Sequence, residues 1–249
     1  MIQKHYYYFG KSIQDKMDGN SLNEKNWEIL RNNEADGSFY LEKTVEAYEL
    51  NCMNAHSYEK MANIIVNEFD RQNYKTNKVI SLGAGKGVLE WHIKRIKPEL
   101  QVECTDYTTD AIESLKRVFI NLDAGYTFDM IDGDYQKLDR NSIFIMFRVS
   151  TEFNRDQWLR IFKKMYEAQI EHIIFVPTGL DRKREMIKER LLHIRNMFLG
   201  HKDIFCGWLY SEDEFLKFFN GDEKKTLYNV KCKIPFDNTA IFFLDRSAD

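Results

Sequence analysis

The sequence predicts an α/β fold: one seven-stranded, mostly parallel sheet with helices on both faces, an antiparallel C-terminal strand pair and a helical N-terminal extension. Three observations carry it. From Lys78 onward, apolar runs of strand length alternate with amphipathic runs of helix length. Those strand-sized runs are continuous, as in a parallel sheet buried on both faces. The last two, "TLYNVKC" and "TAIFFLD", have only a short loop between them, so they pair antiparallel.

Taken in order, residues 1–75 read as mostly helical, a helical extension or lid ahead of a core spanning 76–249. "NEKNWEIL" and "LEKTVEAYEL" look like short helices, and "SYEKMANIIVNEFDRQ" places Met61, Ile64, Ile65 and Phe69 on one helical stripe. The core begins with "KVISL" as a strand, a glycine turn, and "GVLEWHIKRIK" as a helix. Lys94, Arg95 and Lys97 suit the C-terminus of that helix, where cations oppose the dipole, and Pro98 ends it. "QVECT" is the second strand, and the next helix is opened by Thr109 or Asp110 as N-cap. "YTFDMI" and "SIFIMFRV" follow as strands. "NRDQWLRIFKKMYEAQI" is a helix with Trp158, Ile161, Phe162 and Met165 on one face. "HIIFV" is the fifth strand, and "DRKREMIKERLLHIRNMF" and "EDEFLKFF" are helices before the terminal strand pair.

Composition narrows the classes. An apolar fraction of 43% over 249 residues supports a sizeable core, and 30% charged residues of mixed sign read as a globular chain. A net charge of −3 argues against wholesale nucleic-acid binding, which needs a basic face. No secretory signal pattern is expected at the start, and "IFIMF" is far shorter than the ~20 residues of a membrane span. Cys52, Cys104, Cys206 and Cys232 are scattered without a C-x-x-C pair, which predicts buried thiols in a reducing cytoplasm and no metal site.

The stretch "SLGAGKG" concentrates Gly83, Gly85 and Gly87 between the first strand and its helix. Lys86 inside it raises the possibility of a phosphate cradle. A P-loop, G-x-x-x-x-G-K-[ST], fails at both ends: Ile80 stands at the first glycine position and Gly87 at the hydroxyl position. Lys86 is then expected to point to solvent. A dinucleotide fingerprint, G-x-G-x-x-[GA], fits Gly83 and Gly85 but meets Val88 at its third small position.

"VISLGAGKG" resembles motif I of the class I (Rossmann-like) S-adenosylmethionine-dependent methyltransferases, through Gly83, Ala84, Gly85 and Gly87. Ser81 stands where that family usually has an acid. Asp106, 19 residues past Gly87 at the end of "QVECT", matches the acid that accepts the ribose hydroxyls, a device that NAD folds share. "MIDGDYQKL", with Gly133 and Asp134, is similar to the family's third motif, where a carboxylate reaches the adenine amino group. The resemblance covers roughly residues 77–249 and implies S-adenosyl-L-methionine as cofactor. The cofactor-binding set it implies is Ser81, Gly83, Ala84, Gly85, Gly87, Asp106, Tyr107, Gly133, Asp134 and Arg148.

The implied reaction is methyl transfer, and candidate groups lie beyond the carboxyl ends of the strands. Arg148, Ser150, Thr151 and Glu152 follow the fourth strand there. Glu152 is a candidate base, competing with a helix-cap or surface role, and His201 is a second candidate. His92 falls in a helix and reads as structural. The N-terminal "HYYYFGK" suits a lid over an acceptor or an aromatic staple. No two of the three prolines are adjacent, so the [DNS]-P-P-[YFW] motif of DNA amino-methyltransferases is absent and no DNA partner is expected. The basic run Arg182, Lys183, Arg184, Lys188, Arg190 and Arg195 could touch RNA, but Asp181, Glu185 and Glu189 dilute it toward a solvated face. The expected acceptor is a small molecule, with a sugar or secondary-metabolite oxygen as the candidate class. An RNA or protein acceptor and a non-catalytic cofactor-binding scaffold are the alternatives, with no membrane partner expected.

Overall fold

The computed structural model describes residues 2–7, 15–19, 25–26, 29, 42–180, 183–199, 204–221 and 226–248. Its strands are β1 (Ile2–Tyr7), β2 (Lys78–Leu82), β3 (Gln101–Asp106), β4 (Ala124–Thr127), β5 (Ile143–Phe147), β6 (His172–Val176), β7 (Ile204–Tyr210), β8 (Tyr228–Phe236) and β9 (Thr239–Arg246). Its helices, renumbered in chain order, are α1 (Val45–Asn54), α2 (His56–Gln72), α3 (Val88–Ile96), α4 (Thr109–Val118), α5 (Arg155–Glu167), α6 (Lys183–Phe198) and α7 (Glu212–Asn220).

Seven strands form one sheet in the order β4-β3-β2-β5-β6-β9-β8. The first five are mutually parallel, and β9 runs antiparallel to both β6 and β8. This is the predicted seven-stranded α/β sheet with its antiparallel finish. The chain moves outward from β2 to β4, then returns to β5 on the other side. The carboxyl ends of β2 and β5 therefore flank the crevice where open α/β sheets hold ligands.

Continuous apolar strands are needed because both faces are covered. Successive side chains alternate between faces. Phe144, Met146, Phe175 and Phe242 enter one core with Trp158 and Phe162 of α5 and with Phe215 and Phe219 of α7. Ile143, Ile145, Ile174 and Phe243 enter the other with Ile65 and Phe69 of α2, Leu89 and Ile93 of α3, and Leu115 of α4. Phe175 and Phe162 are fully buried, and truncating either to alanine costs about 3–5 kcal/mol. Ion pairs tie α2 to α3, Glu59 to Arg95 at 2.5 Å and Asp70 to Lys97.

Three local expectations are corrected. Residues 2–7, read as part of a mostly helical extension, form a strand. β1 pairs antiparallel with β7, which sequence reasoning did not identify, in a separate two-stranded ribbon. The N-cap of α4 is Thr108, whose hydroxyl accepts from Ala111 N at 3.4 Å, one residue ahead of the expected cap. β4 covers Ala124–Thr127 alone, so Phe128–Ile131 belong to the loop beyond it.

Candidate active site

Gly83, Gly85 and Gly87 all adopt left-handed φ, at 70°, 56° and 63°, which other residues reach only at a steric cost. The turn is braced from behind. Ala84 N donates to Thr105 O at 2.8 Å, and the buried Tyr48 hydroxyl of α1 donates to Lys86 O at 2.9 Å and Gly87 O at 3.2 Å. The three glycines face different surroundings. A Cβ on Gly83 would lie 2.6 Å from Val149 Cγ1, and one on Gly87 would lie 2.9 Å from Leu115 Cδ1. A Cβ on Gly85 would meet nothing within 4 Å. Gly83 and Gly87 are needed for packing, and Gly85 presents bare backbone to open space.

Asp106 ends β3, is 7% exposed, and reaches this turn. Its Oδ2 accepts from Gly85 N at 3.2 Å and its Oδ1 from Thr108 N at 3.2 Å. The structure thus brings together the two features that the sequence spacing paired. Tyr107 follows and is 54% exposed. On the other side, Phe128 N donates to Asp106 O at 2.9 Å, so the loop after β4 begins directly beside the aspartate. Its first acid, Asp129, accepts from Ile131 N at 2.7 Å and Asp132 N at 3.0 Å. Sequence reasoning passed over Asp129, although its position just past the strand end was the available signal. Gly133 packs against Phe128, and Asp134 caps the 3₁₀ turn Tyr135–Lys137 by accepting from Gln136 N at 3.1 Å.

Ser81 is fully buried and donates to Glu90 Oε1 at 2.6 Å. Glu90, on the inner face of α3, is itself 1% exposed, and burial pushes its carboxyl above the usual carboxylate range. Glu90 was not anticipated from sequence. Its signal was an acid within the buried stripe Leu89, Glu90, Ile93. Lys86, expected in solvent, is instead largely covered, with its ammonium 3.5 Å from Glu42 Oε1. His92 is buried with Nε2 2.9 Å from Cys52 O, and burial lowers its basicity, in keeping with a structural role.

The rim after β5 starts at Arg148, whose φ of 58° is a left-handed conformation in a non-glycine residue. Such strain costs on the order of 1–3 kcal/mol and concentrates at functional sites. Its N–H donates to Val176 O at 2.8 Å and its guanidinium to Tyr58 Oη at 3.0 Å, anchoring it to α2. Ser150 Oγ accepts from Thr178 N at 2.9 Å, tying the rim to the exit of β6. Glu152 is exposed in the following turn, its carboxylate 3.5 Å from Thr151 Oγ1, and Asn154 rather than Glu152 caps α5. The β1–β7 ribbon docks on this rim. Trp208 N donates to Thr151 O at 2.8 Å, and Gly207 lies so close that a Cβ would overlap that carbonyl. Tyr210 Oη donates to Phe153 O at 2.7 Å. His201 lies outside the described residues.

A glycine turn at the carboxyl end of the first central strand, with an acid from the next strand bonded into it, defines a nucleoside-cofactor-binding α/β protein. The backbone at Gly85 leaves room for a ligand, and Asp106 would supply a carboxylate to accept ribose hydroxyls, so the residues present fit S-adenosylmethionine. Residues 50–145, which contain the turn, Asp106 and the β4 loop, match the family model described as "Methyltransferase small domain". Over that stretch the chain is similar to S-adenosylmethionine-dependent methyltransferases of class I.

Solved structures agree on the fold. Mitomycin 7-O-methyltransferase superposes at a TM-score of 0.53 with 15% identity, over 70% of this chain and 50% of that one. Magnesium protoporphyrin IX methyltransferase from Synechocystis PCC 6803, with S-adenosylhomocysteine bound, gives 0.53 and 13% over 77% and 84%. A Rhodobacter sphaeroides structure titled a putative Zn-dependent alcohol dehydrogenase gives 0.54 and 11% over 77% and 98%. The fold alone therefore does not separate activities, and the likeness to methyltransferases rests on the family match over residues 50–145 together with the glycine turn. The chain spans about half the length of the mitomycin enzyme. No curated protein matches it.

Proposed function

We propose that this protein transfers the methyl group of S-adenosylmethionine to a small-molecule acceptor, with a sugar or secondary-metabolite oxygen as the favoured acceptor class. The observation that carries the reading is the Gly85–Asp106 contact beside unfilled space, at the carboxyl ends of the central strands. The acceptor class is supported by what the structural neighbours' names say of those proteins, mitomycin and magnesium protoporphyrin.

When bound, S-adenosylmethionine supplies an electrophilic methyl on a sulfonium, so the chain's task is binding, alignment and exclusion of water. In this reading, Gly83–Gly87 let the backbone approach the amino-acid and ribose portions. Asp106 accepts the ribose hydroxyls, Tyr107 covers the nucleoside, and the Asp129–Asp134 loop lines the adenine side. Arg148, the Ser150–Glu152 rim and the β1–β7 ribbon shape the acceptor side, in the place of a lid. Glu152 and His201 are the candidate bases for a hydroxyl acceptor. Glu152's exposure favours, as a second reading, a cofactor-binding scaffold without catalysis.

Calorimetry with S-adenosylmethionine and S-adenosylhomocysteine, followed by labelled methyl transfer to a metabolite panel, tests both readings. Binding with turnover supports the enzyme, and binding without turnover of any acceptor supports the scaffold. A steeply salt-dependent affinity for RNA would move the acceptor class. If neither cofactor form binds, and Asp106→Ala changes nothing, the cofactor reading fails.

A further inference from the structure

We propose that the outer face of α6 docks onto an anionic lipid surface, as a peripheral contact and not a span. Ile187, Leu191, Ile194 and Phe198 are 59%, 62%, 47% and 86% exposed. Their spacing of four, three and four residues puts them on one helical stripe. Met197, and Leu199 just past the helix, also exposed, widen it at its C-terminal end, so this helix and the residue after it carry six of the eleven exposed large apolar side chains among the described residues. The inward side is different: Asn196 is buried, and Leu192 and His193 are half-buried.

Charge selects the occupant. At 100° per residue, Lys188 and Arg195 fall on one flank of the stripe and Arg190 on the other, and all three are exposed. Positions 185 and 189, the helix's two acids, fall by spacing on the opposite line, with Leu192 and Asn196. An apolar row edged on both sides by cations is the pattern of a helix lying in a membrane interface, apolar face down and cations level with the headgroups. A second copy packed on the same stripe would set these cations against one another. The stripe is also convex, so a protein partner would have to supply a groove, whereas a bilayer interface needs none. No described helix is long and apolar enough to cross a membrane, so the contact is peripheral.

The test is co-sedimentation of the full chain with vesicles of phosphatidylcholine alone and of phosphatidylcholine mixed with phosphatidylserine, at low and high salt. The chain should bind the mixed vesicles, bind them less at high salt, and ignore phosphatidylcholine. Lys188→Gln with Arg195→Gln should lower the partition coefficient about 30-fold, from about one kcal/mol per cation near an anionic surface. Leu191→Ser with Phe198→Ser should lower it about 100-fold or more. Circular dichroism and S-adenosylhomocysteine affinity of each variant should match the wild type, which separates this proposal from the cofactor reading. Folded wild-type protein that ignores anionic vesicles overturns the proposal, as do variants that bind like wild type. So does a wild-type dimer, seen by light scattering, that Leu191→Ser with Phe198→Ser dissolves.

Discussion

Alanine substitution at Gly83, Gly85 and Gly87 separates what the turn does for the fold from what it does for the cofactor. All three positions need left-handed φ, so each alanine carries a strain of about 1–2 kcal/mol. At Gly85 nothing is added to it, since its Cβ would stand in open space. At Gly83 the methyl lies 2.6 Å from Val149 Cγ1, and overpacking adds about 1–3 kcal/mol. At Gly87 the conflict is with the end of Leu115, which can yield, so that variant falls between. The expected losses are about 1–2 kcal/mol for Gly85→Ala and about 2–5 for Gly83→Ala, against a typical stability of ~5–15 kcal/mol. Urea denaturation reads these, and calorimetry with S-adenosylhomocysteine reads the other half. Gly85→Ala, the mildest for stability, should weaken binding by about 10- to 100-fold, because its methyl occupies the space through which a ligand meets the backbone. A Gly85→Ala protein that binds like wild type, or unfolds as readily as Gly83→Ala, would refute the division of roles.

Asp106→Ala removes the acceptor of the Gly85 and Thr108 amides, so it should cost about 1–3 kcal/mol of stability in denaturant titrations and lower S-adenosylhomocysteine affinity by at least tenfold. Gly207→Ala forces the β1–β7 ribbon off Thr151. Once an acceptor is known, kcat/KM should fall about 100-fold, with cofactor affinity within about threefold of wild type. Glu90→Gln tests the buried carboxyl. Its folded pKa is raised above the unfolded value of 4.5, so wild type loses stability as pH rises through 4.5 toward the folded value. The variant lacks that loss, and its stability relative to wild type, followed by thermal melts from acid to neutral pH, should improve over that window.

What the chain shows locally was legible, and what it shows only through long-range contact was not. The seven sheet strands could be read because "KVISL", "IFIMF" and "HIIFV" are continuous apolar runs, a pattern that only a doubly covered sheet requires. β7, "IFCGWLY", is interrupted by Gly207, and its partner β1 lies nearly the whole chain away, so neither strand signals the other. The glycine turn and Asp106 were legible because each sits at a strand end, where topology fixes proximity in advance. Lys86 was misplaced because its partner, Glu42, comes from the segment before α1, and no local pattern brings that carboxylate to the turn.

Ser81 and Glu90 show how a departure from a motif can be compensated in space. The strand position that usually carries the family's acid is a serine here, yet a carboxyl is present at hydrogen-bond distance from it, delivered by the next helix. The exchange changes its chemistry. A carboxyl that is 1% exposed, with Oε2 lacking a hydrogen-bond partner among the described residues, is pushed by burial toward the neutral form. Through Ser81 it fastens β2 to α3 beneath the glycine turn. In the proposed reading, recognition of the cofactor by an anion at this end of the crevice rests on Asp106, whose carboxylate is held by the Gly85 and Thr108 amides. That is why substitution at Asp106 should weaken the cofactor directly, while Glu90→Gln should register first in the pH dependence of stability.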